Sequence, residues 1–120
     1  MRRYETIYII RPNLSEDDIT AIIDRTNNII EQFGGTIVQL DRWGLKKLAY
    51  LIKKETQGYY VFTEYAGAPE AVSEIERLFR INEKVLRYMT IKTEENFTEG
   101  FSKKPEVTED AAQTDESEES

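Results

Sequence analysis

Residues 36–65, TIVQLDRWGLKKLAYLIKKETQGYYVFTEY, place two strands in direct succession, and that succession decides the fold. Thr36 to Leu40 alternates in the manner of a half-buried strand. Trp43-Gly44 interrupts the alternation and Leu48 to Ile52 resumes it, which predicts one long strand with a bulge or bend near the glycine. Lys53 to Gly58 is polar and reads as a turn. Tyr59 to Tyr65, dense in aromatic and β-branched residues, reads as the next strand.

A strand and then a helix precede this pair. Tyr4 to Ile10 is rich in β-branched and aromatic residues and stops at the turn signal Arg11-Pro12-Asn13. Ser15 followed by Glu16, Asp17 and Asp18 is a hydroxyl cap with carboxylates at the positive end of a helix. Ile19, Ile22, Ile23, Ile30 and Phe33 follow at helical spacing, Thr26 fills the stripe, and Gly34-Gly35 supplies the exit. After the pair, Ala68-Pro69 opens a second helix with the stripe Val72, Ile75, Leu78 and Phe79. Asn82-Glu83 breaks that pattern, and Val85 to Thr93 reads as the last strand.

Strand, helix, strand, strand, helix, strand is the ferredoxin-like βαββαβ arrangement of the α+β class. It predicts a four-stranded antiparallel sheet with both helices on one face and the first and third strands central. The second and fourth strands become edges, and the edges and the opposite face are left for partners. The expected domain covers residues 1–100. Residues 101–120 are Glu-, Ser- and Thr-rich, cannot bury enough apolar surface to offset chain entropy, and are expected to form an acidic disordered tail.

The net charge of −7 belongs to that tail. Residues 1–104 hold all 16 Lys and Arg and 16 of the 23 Asp and Glu, so the body is neutral, and residues 105–120 carry the other 7 acids. A low pI therefore does not argue against nucleic-acid binding by the body, where the placement of cations matters. The chain has no cysteine and no histidine, which removes disulfides, thiolate chemistry and the side chain that titrates nearest neutrality. The N-terminal apolar run Ile7 to Ile10 is too short for a signal peptide or span, so a cytoplasmic protein with no membrane partner is expected.

No residue pattern calls for catalysis, a cofactor or a small-molecule substrate. Glu16, Asp17 and Asp18 are explained by the helix start. Gly34-Gly35 is a helix stop and no phosphate-cradling loop is present. Arg11 and Asn13 superficially suggest an acylphosphatase, but Pro12 lacks the amide hydrogen such a cradle needs.

The basic residues form three groups: Arg2-Arg3; Arg42, Lys46, Lys47, Lys53 and Lys54; and Arg77, Arg80, Lys84, Arg87 and Lys92. Trp43, Tyr50, Tyr59, Tyr60 and Tyr88 interleave with them. Cations supply phosphate affinity, and aromatic faces stack on unpaired bases or guanidinium groups. Each group also has an ordinary explanation. Lysines at a sheet edge discourage edge-to-edge pairing, and Arg77 and Arg80 fit the wet face of a helix. An RNA-recognition motif shares this element order. Against its third-strand signature, Gly58 and Tyr59 fit, whereas Gln57, Tyr60, Val61 and Phe62 do not. A ligand-sensing regulatory domain on the same fold is a further alternative.

Gly44-Leu45-Lys46-Lys47-Leu48-Ala49-Tyr50-Leu51-Ile52-Lys53 resembles the signature of the bacterial small-subunit ribosomal protein six family. Met1-Arg2-Arg3-Tyr4-Glu5 and the stretch Phe79 to Arg87 resemble that family's other recurrent segments, in order, over roughly residues 1–95. Leu51 departs from the family, many members of which have proline there. The resemblance implies a structural protein of the small subunit that binds the central region of 16S ribosomal RNA together with ribosomal protein eighteen. On that footing Arg2, Arg3, Arg80, Arg87 and Lys92, with Lys53 and Lys54, are expected to face RNA. Arg42, Lys46 and Lys47 are expected at the protein partner or at RNA beside it, with Trp43 and Tyr50 at the protein partner.

Overall fold

A computed structural model of the chain describes residues 2–93. The elements run β1 (Arg2–Ile10), α1 (Glu16–Gln32), β2 (Thr36–Ile52), β3 (Glu55–Gly67), α2 (Pro69–Ile81) and β4 (Val85–Thr93). The strands form one antiparallel sheet in the order β2-β3-β1-β4, so β3 and β1 are central and β2 and β4 are the rims. The expected ferredoxin-like arrangement is the observed one. The tail expected over residues 101–120 lies outside the described residues.

Local chemistry explains each boundary. Ser15 Oγ accepts a hydrogen bond from the Asp18 amide at 3.1 Å, and three acids fill the first turn of α1. Ile19, Ile22, Ile23, Ile29 and Ile30 bury one stripe of α1, and Thr26 joins them by donating its hydroxyl to the Ile22 carbonyl at 2.9 Å. Phe33, expected on that stripe, is 40% exposed because it caps the helix where the chain turns away. Pro69 starts α2, which buries Ala71, Ile75, Leu78 and Phe79.

The bulge expected near Gly44 is present. The β2–β3 register slips between Arg42 and Gly44, and Gly44 sits at φ +88°, a region that favours glycine. The turn of this hairpin is tighter than the sequence suggests. Ile52 pairs with Glu55, leaving Lys53 and Lys54 as the two turn residues at φ 50° and 72°. Glu55, Thr56 and Gln57, expected in a turn, are strand residues because the long β2 gives their backbone a partner.

Strand alternation divides the side chains between two faces. Tyr4, Tyr8, Ile10, Val61, Tyr65 and Val85 meet the stripes of α1 and α2 in the main core. On the opposite, open face, Ile9, Tyr60 and Leu86 gather with Leu48 and Ile52 in a second, smaller cluster, with Ile7 and Trp43 against it. Gly58 makes room for this cluster, since a Cβ there would lie 2.2 Å from Ile9 Cγ2. Among the described residues no helix is long and apolar enough to cross a membrane.

Candidate nucleic-acid interface

The fold regroups the basic residues. The hairpin turn carries Lys53 to the start of β4, where its Nζ donates to the Val85 carbonyl at 3.5 Å. Arg11 holds the same corner together. Its Nε donates to the Glu83 carbonyl at 2.8 Å, and its guanidinium pairs with Glu55 at 3.0 Å. The Arg11 side chain thus closes the hairpin end against the α2–β4 loop.

This corner encloses a cleft of about 240 Å³ lined by Lys53, Phe79, Arg80, Val85, Leu86, Arg87 and Tyr88. Three cations surround an aromatic floor, in which the Phe79 and Tyr88 rings lie 5.5 Å apart at 46°. Phe79 is fixed by the α2 stripe, and Arg80 beside it points to solvent because the next helical position leaves the core. The arrangement offers charge to phosphate oxygens and, from the half-buried Tyr88, apolar ring surface to a base or sugar. Lys54, exposed in the same turn, adds a cation at the rim.

Arg2, Arg3 and Lys92 lie at the other end of the β1–β4 ladder, where Arg3 is opposite Thr93 and Tyr4 opposite Lys92. From Arg3 to Ile9, the residue opposite Arg87, the strand rise gives roughly 20 Å. The expected RNA-facing residues therefore form two sets, with Lys53, Lys54, Arg80 and Arg87 at one end and Arg2, Arg3 and Lys92 at the other. Arg2 and Lys92 are exposed and make no ion pair with a described residue. Arg3 instead pairs with Glu64 at 2.7 Å on the open sheet face.

The residues expected at a protein partner lie along β2. Arg42 is already engaged. It pairs with Glu16 at 2.7 Å, donates Nε to the Tyr59 hydroxyl at 2.9 Å, and lies 5.5 Å over the Tyr59 ring. The hydrogen bonds to Tyr59 and Glu16 hold the Arg42 pKa above its ordinary value, and Arg42 in turn lowers that of Glu16. Trp43, the bulged residue, stacks on Phe62 with ring centroids 5.5 Å apart and planes at 6°. Lys46 and Lys47 stand opposite Gly58 and Gln57 on the rim strand, and Tyr50 is exposed.

Sequence reasoning missed four contributors, Leu45, Leu51, Glu5 and Glu64. Leu45 and Leu51 are 52% and 61% exposed on β2, the strand that also exposes Tyr50. Phe79, expected on the core stripe of α2, lies there at 2% exposed and also floors the cleft. Glu5 and Glu64 were not singled out, although the alternation of Tyr4, Thr6 and Tyr8 with Glu5, Ile7 and Ile9 already puts Glu5 on the open face.

Residues 3–92 match the family described as "Ribosomal protein S6". A small ribosomal subunit protein bS6 of Desulfotalea psychrophila is 50% identical over 99 residues, which are 82% of this chain and 62% of that protein. One from Caldanaerobacter subterraneus is 43% identical over 95 residues, covering 79% of this chain and all of that protein. The crystal structure of 30S ribosomal protein S6 from Thermotoga maritima superposes with a TM-score of 0.72 at 31% identity, over 77% of this chain and 87% of that one.

Proposed function

The chain belongs to the ribosomal protein S6 family, and from that premise we propose that it is a structural constituent of the small ribosomal subunit. In this reading it binds the central region of 16S ribosomal RNA together with ribosomal protein eighteen, in the cytoplasm. Its role is to organise RNA without transforming a substrate.

The observation that carries this reading is the cleft at the hairpin corner. Lys53 from the hairpin turn, Arg80 from α2 and Arg87 from β4 converge there around Phe79 and Tyr88. The three cations stand around the half-buried Tyr88 ring, with the buried Phe79 beneath it. The exposed side chains of Leu45, Tyr50 and Leu51 support a protein neighbour on the β2 rim.

The electrostatics explain why two proteins would bind together. The body is neutral and its cations are split between two ends, so the isolated protein has little charge excess for phosphate. Docking the protein partner first would pool two sparse positive surfaces and present them to RNA in one event. The test is sedimentation. The full chain should travel with small subunits through a gradient and leave them in high salt. With purified components, a central-region 16S fragment should be retained far better by the pair than by this chain alone. Tight, salt-insensitive binding of the fragment by this chain alone would overturn the reading.

A further inference from the structure

The charges of the folded body are sorted by layer. α1 and α2 carry eight Asp and Glu against three Arg. The strands and connections of residues 2–93 carry eleven Lys and Arg against five acids. Several of these cations are already matched: Arg3 pairs with Glu64, Arg11 with Glu55, Arg42 with Glu16, and Lys84 lies 4.0 Å from Asp18. Lys53, Lys54 and Arg80 are exposed and make no ion pair with a described residue. With Arg87 they converge on one corner. Elsewhere the unmatched cations stand in twos, Lys46 beside Lys47 on β2 and Arg2 with Lys92 at the far end of the β1–β4 ladder.

A polyanion is attached to the same chain. Residues 105–120 hold seven Asp and Glu and no Lys or Arg, and they follow β4, which ends at Thr93. Thr93 lies six residues along that strand from Arg87, or roughly 20 Å at the strand rise. Glu109, within the acidic run Glu106 to Asp110, comes sixteen residues after Thr93. A coil of that length has a root-mean-square span of about 20–24 Å, which matches the separation. Such a tether sets a local concentration on the order of millimolar, so contacts that are weak one by one become populated. The surplus of acids on α1 and α2 repels the same segment from the helix layer.

We propose that residues 105–120 dock on the hairpin-corner cleft, setting their carboxylates on Lys53, Lys54, Arg80 and Arg87, and that RNA must displace them to bind. This deepens the reading of the cleft as an RNA site and rests on it. Carboxylate and phosphate oxygens accept from the same guanidinium and ammonium donors, so the two polyanions exclude each other. Exposed ion pairs are individually weak and are screened by salt. The acidic segment therefore yields to a ligand that adds contacts beyond charge. It lowers affinity for every RNA alike, so that only RNA also held through the protein partner is retained. The acids far along the chain thus act on the cations of the fold.

The test uses the full chain, in which the absence of cysteine lets Thr108→Cys carry a single nitroxide label. The reference is the same labelled chain with every Glu and Asp of residues 105–120 changed to Gln and Asn. Amide resonances of Lys53, Lys54, Arg80 and Arg87 should broaden in the acidic chain at low salt and recover in the reference, which keeps the tether and loses the charge. Without labels, the reference should retain polyuridylate on filters about fivefold better or more at about 50 mM salt, with the difference gone near 0.5 M. Equal broadening in the two chains, or broadening centred on Lys46 and Lys47 or on Arg2 and Lys92, overturns docking at the corner. Corner broadening with equal polyuridylate retention overturns the competition. The underlying reading fails in a different way: Arg80→Ala would leave affinity for the 16S fragment unchanged while the label still broadened the corner.

Discussion

Glu5 and Glu64 stand opposite each other as register partners of β1 and β3, both almost fully buried, and Arg3 pairs with the second. Burial first, and then the neighbouring Glu64 charge, raise the Glu5 pKa from 4.5 to about 7 against the weaker pull of Arg3. Between those values the folded chain holds a proton that the unfolded chain releases. This contribution to stability is therefore full below about pH 4.5 and is lost as pH rises through 7. Urea midpoints taken across that range should fall with rising pH. Glu5→Gln should flatten the fall and be the more stable protein above pH 7. A wild-type midpoint that rises over the same window would contradict the assignment.

The hairpin turn gives a second prediction. Lys53 and Lys54 both occupy left-handed backbone, which is costly for residues with a Cβ. Two-residue turns of this kind are ordinarily met by Asn-Gly. Lys53→Asn with Lys54→Gly should stabilise the fold by about 1 kcal/mol and weaken RNA retention, because two cations leave the cleft rim. Equilibrium unfolding and filter binding measure the two effects on one sample. Stabilisation with undiminished RNA binding would remove both lysines from the interface.

Gly58 gives a third. A methyl group there collides with Ile9 Cγ2 in the open-face cluster, and the buried Ile9 has little space to yield. Gly58→Ala should cost roughly 1–3 kcal/mol, as overpacked cores do. Chemical denaturation would show a lower midpoint with an unchanged slope.

The cleft gives a fourth. Arg80→Ala and Arg87→Ala should each lower affinity for the 16S fragment in the presence of protein eighteen. Each should also reduce the slope of log affinity against log salt by about 1, if it contacts one phosphate. Arg42→Ala should leave that slope alone, since its guanidinium is committed to Glu16 and Tyr59. Equal slopes for all three variants would take the cleft out of the RNA surface.

How much of this was legible beforehand follows from what sequence neighbourhood can encode. Val85–Thr93 and the Gly44 bulge were readable because their signals are local: a dense β-branched run, and a glycine where φ is positive. Glu55 to Gln57 were misread because nothing local marks them as strand, and only the length of β2 gives them a partner. The sites followed the same division. Grouping cations by proximity in the chain put Lys53 with Arg42 and Arg80 with Lys92. The folded hairpin instead brings Lys53 to Arg80 and Arg87, a long-range consequence of β3 pairing on both sides. Glu5 escaped notice because an acid in a strand looks solvated until its neighbours bury it.

The corner fastened by Arg11 and Lys53 also has a dynamic consequence. The β2 and β4 margins share no ladder, yet Leu48 and Ile52 from one and Leu86 from the other belong to a single cluster, bolted by Arg11 to both Glu55 and Glu83. The two margins should therefore open together, and amide exchange at the hairpin tip and at the head of β4 should slow in step. A polynucleotide gripping that seam would act as a brace, stiffening strands that it barely touches.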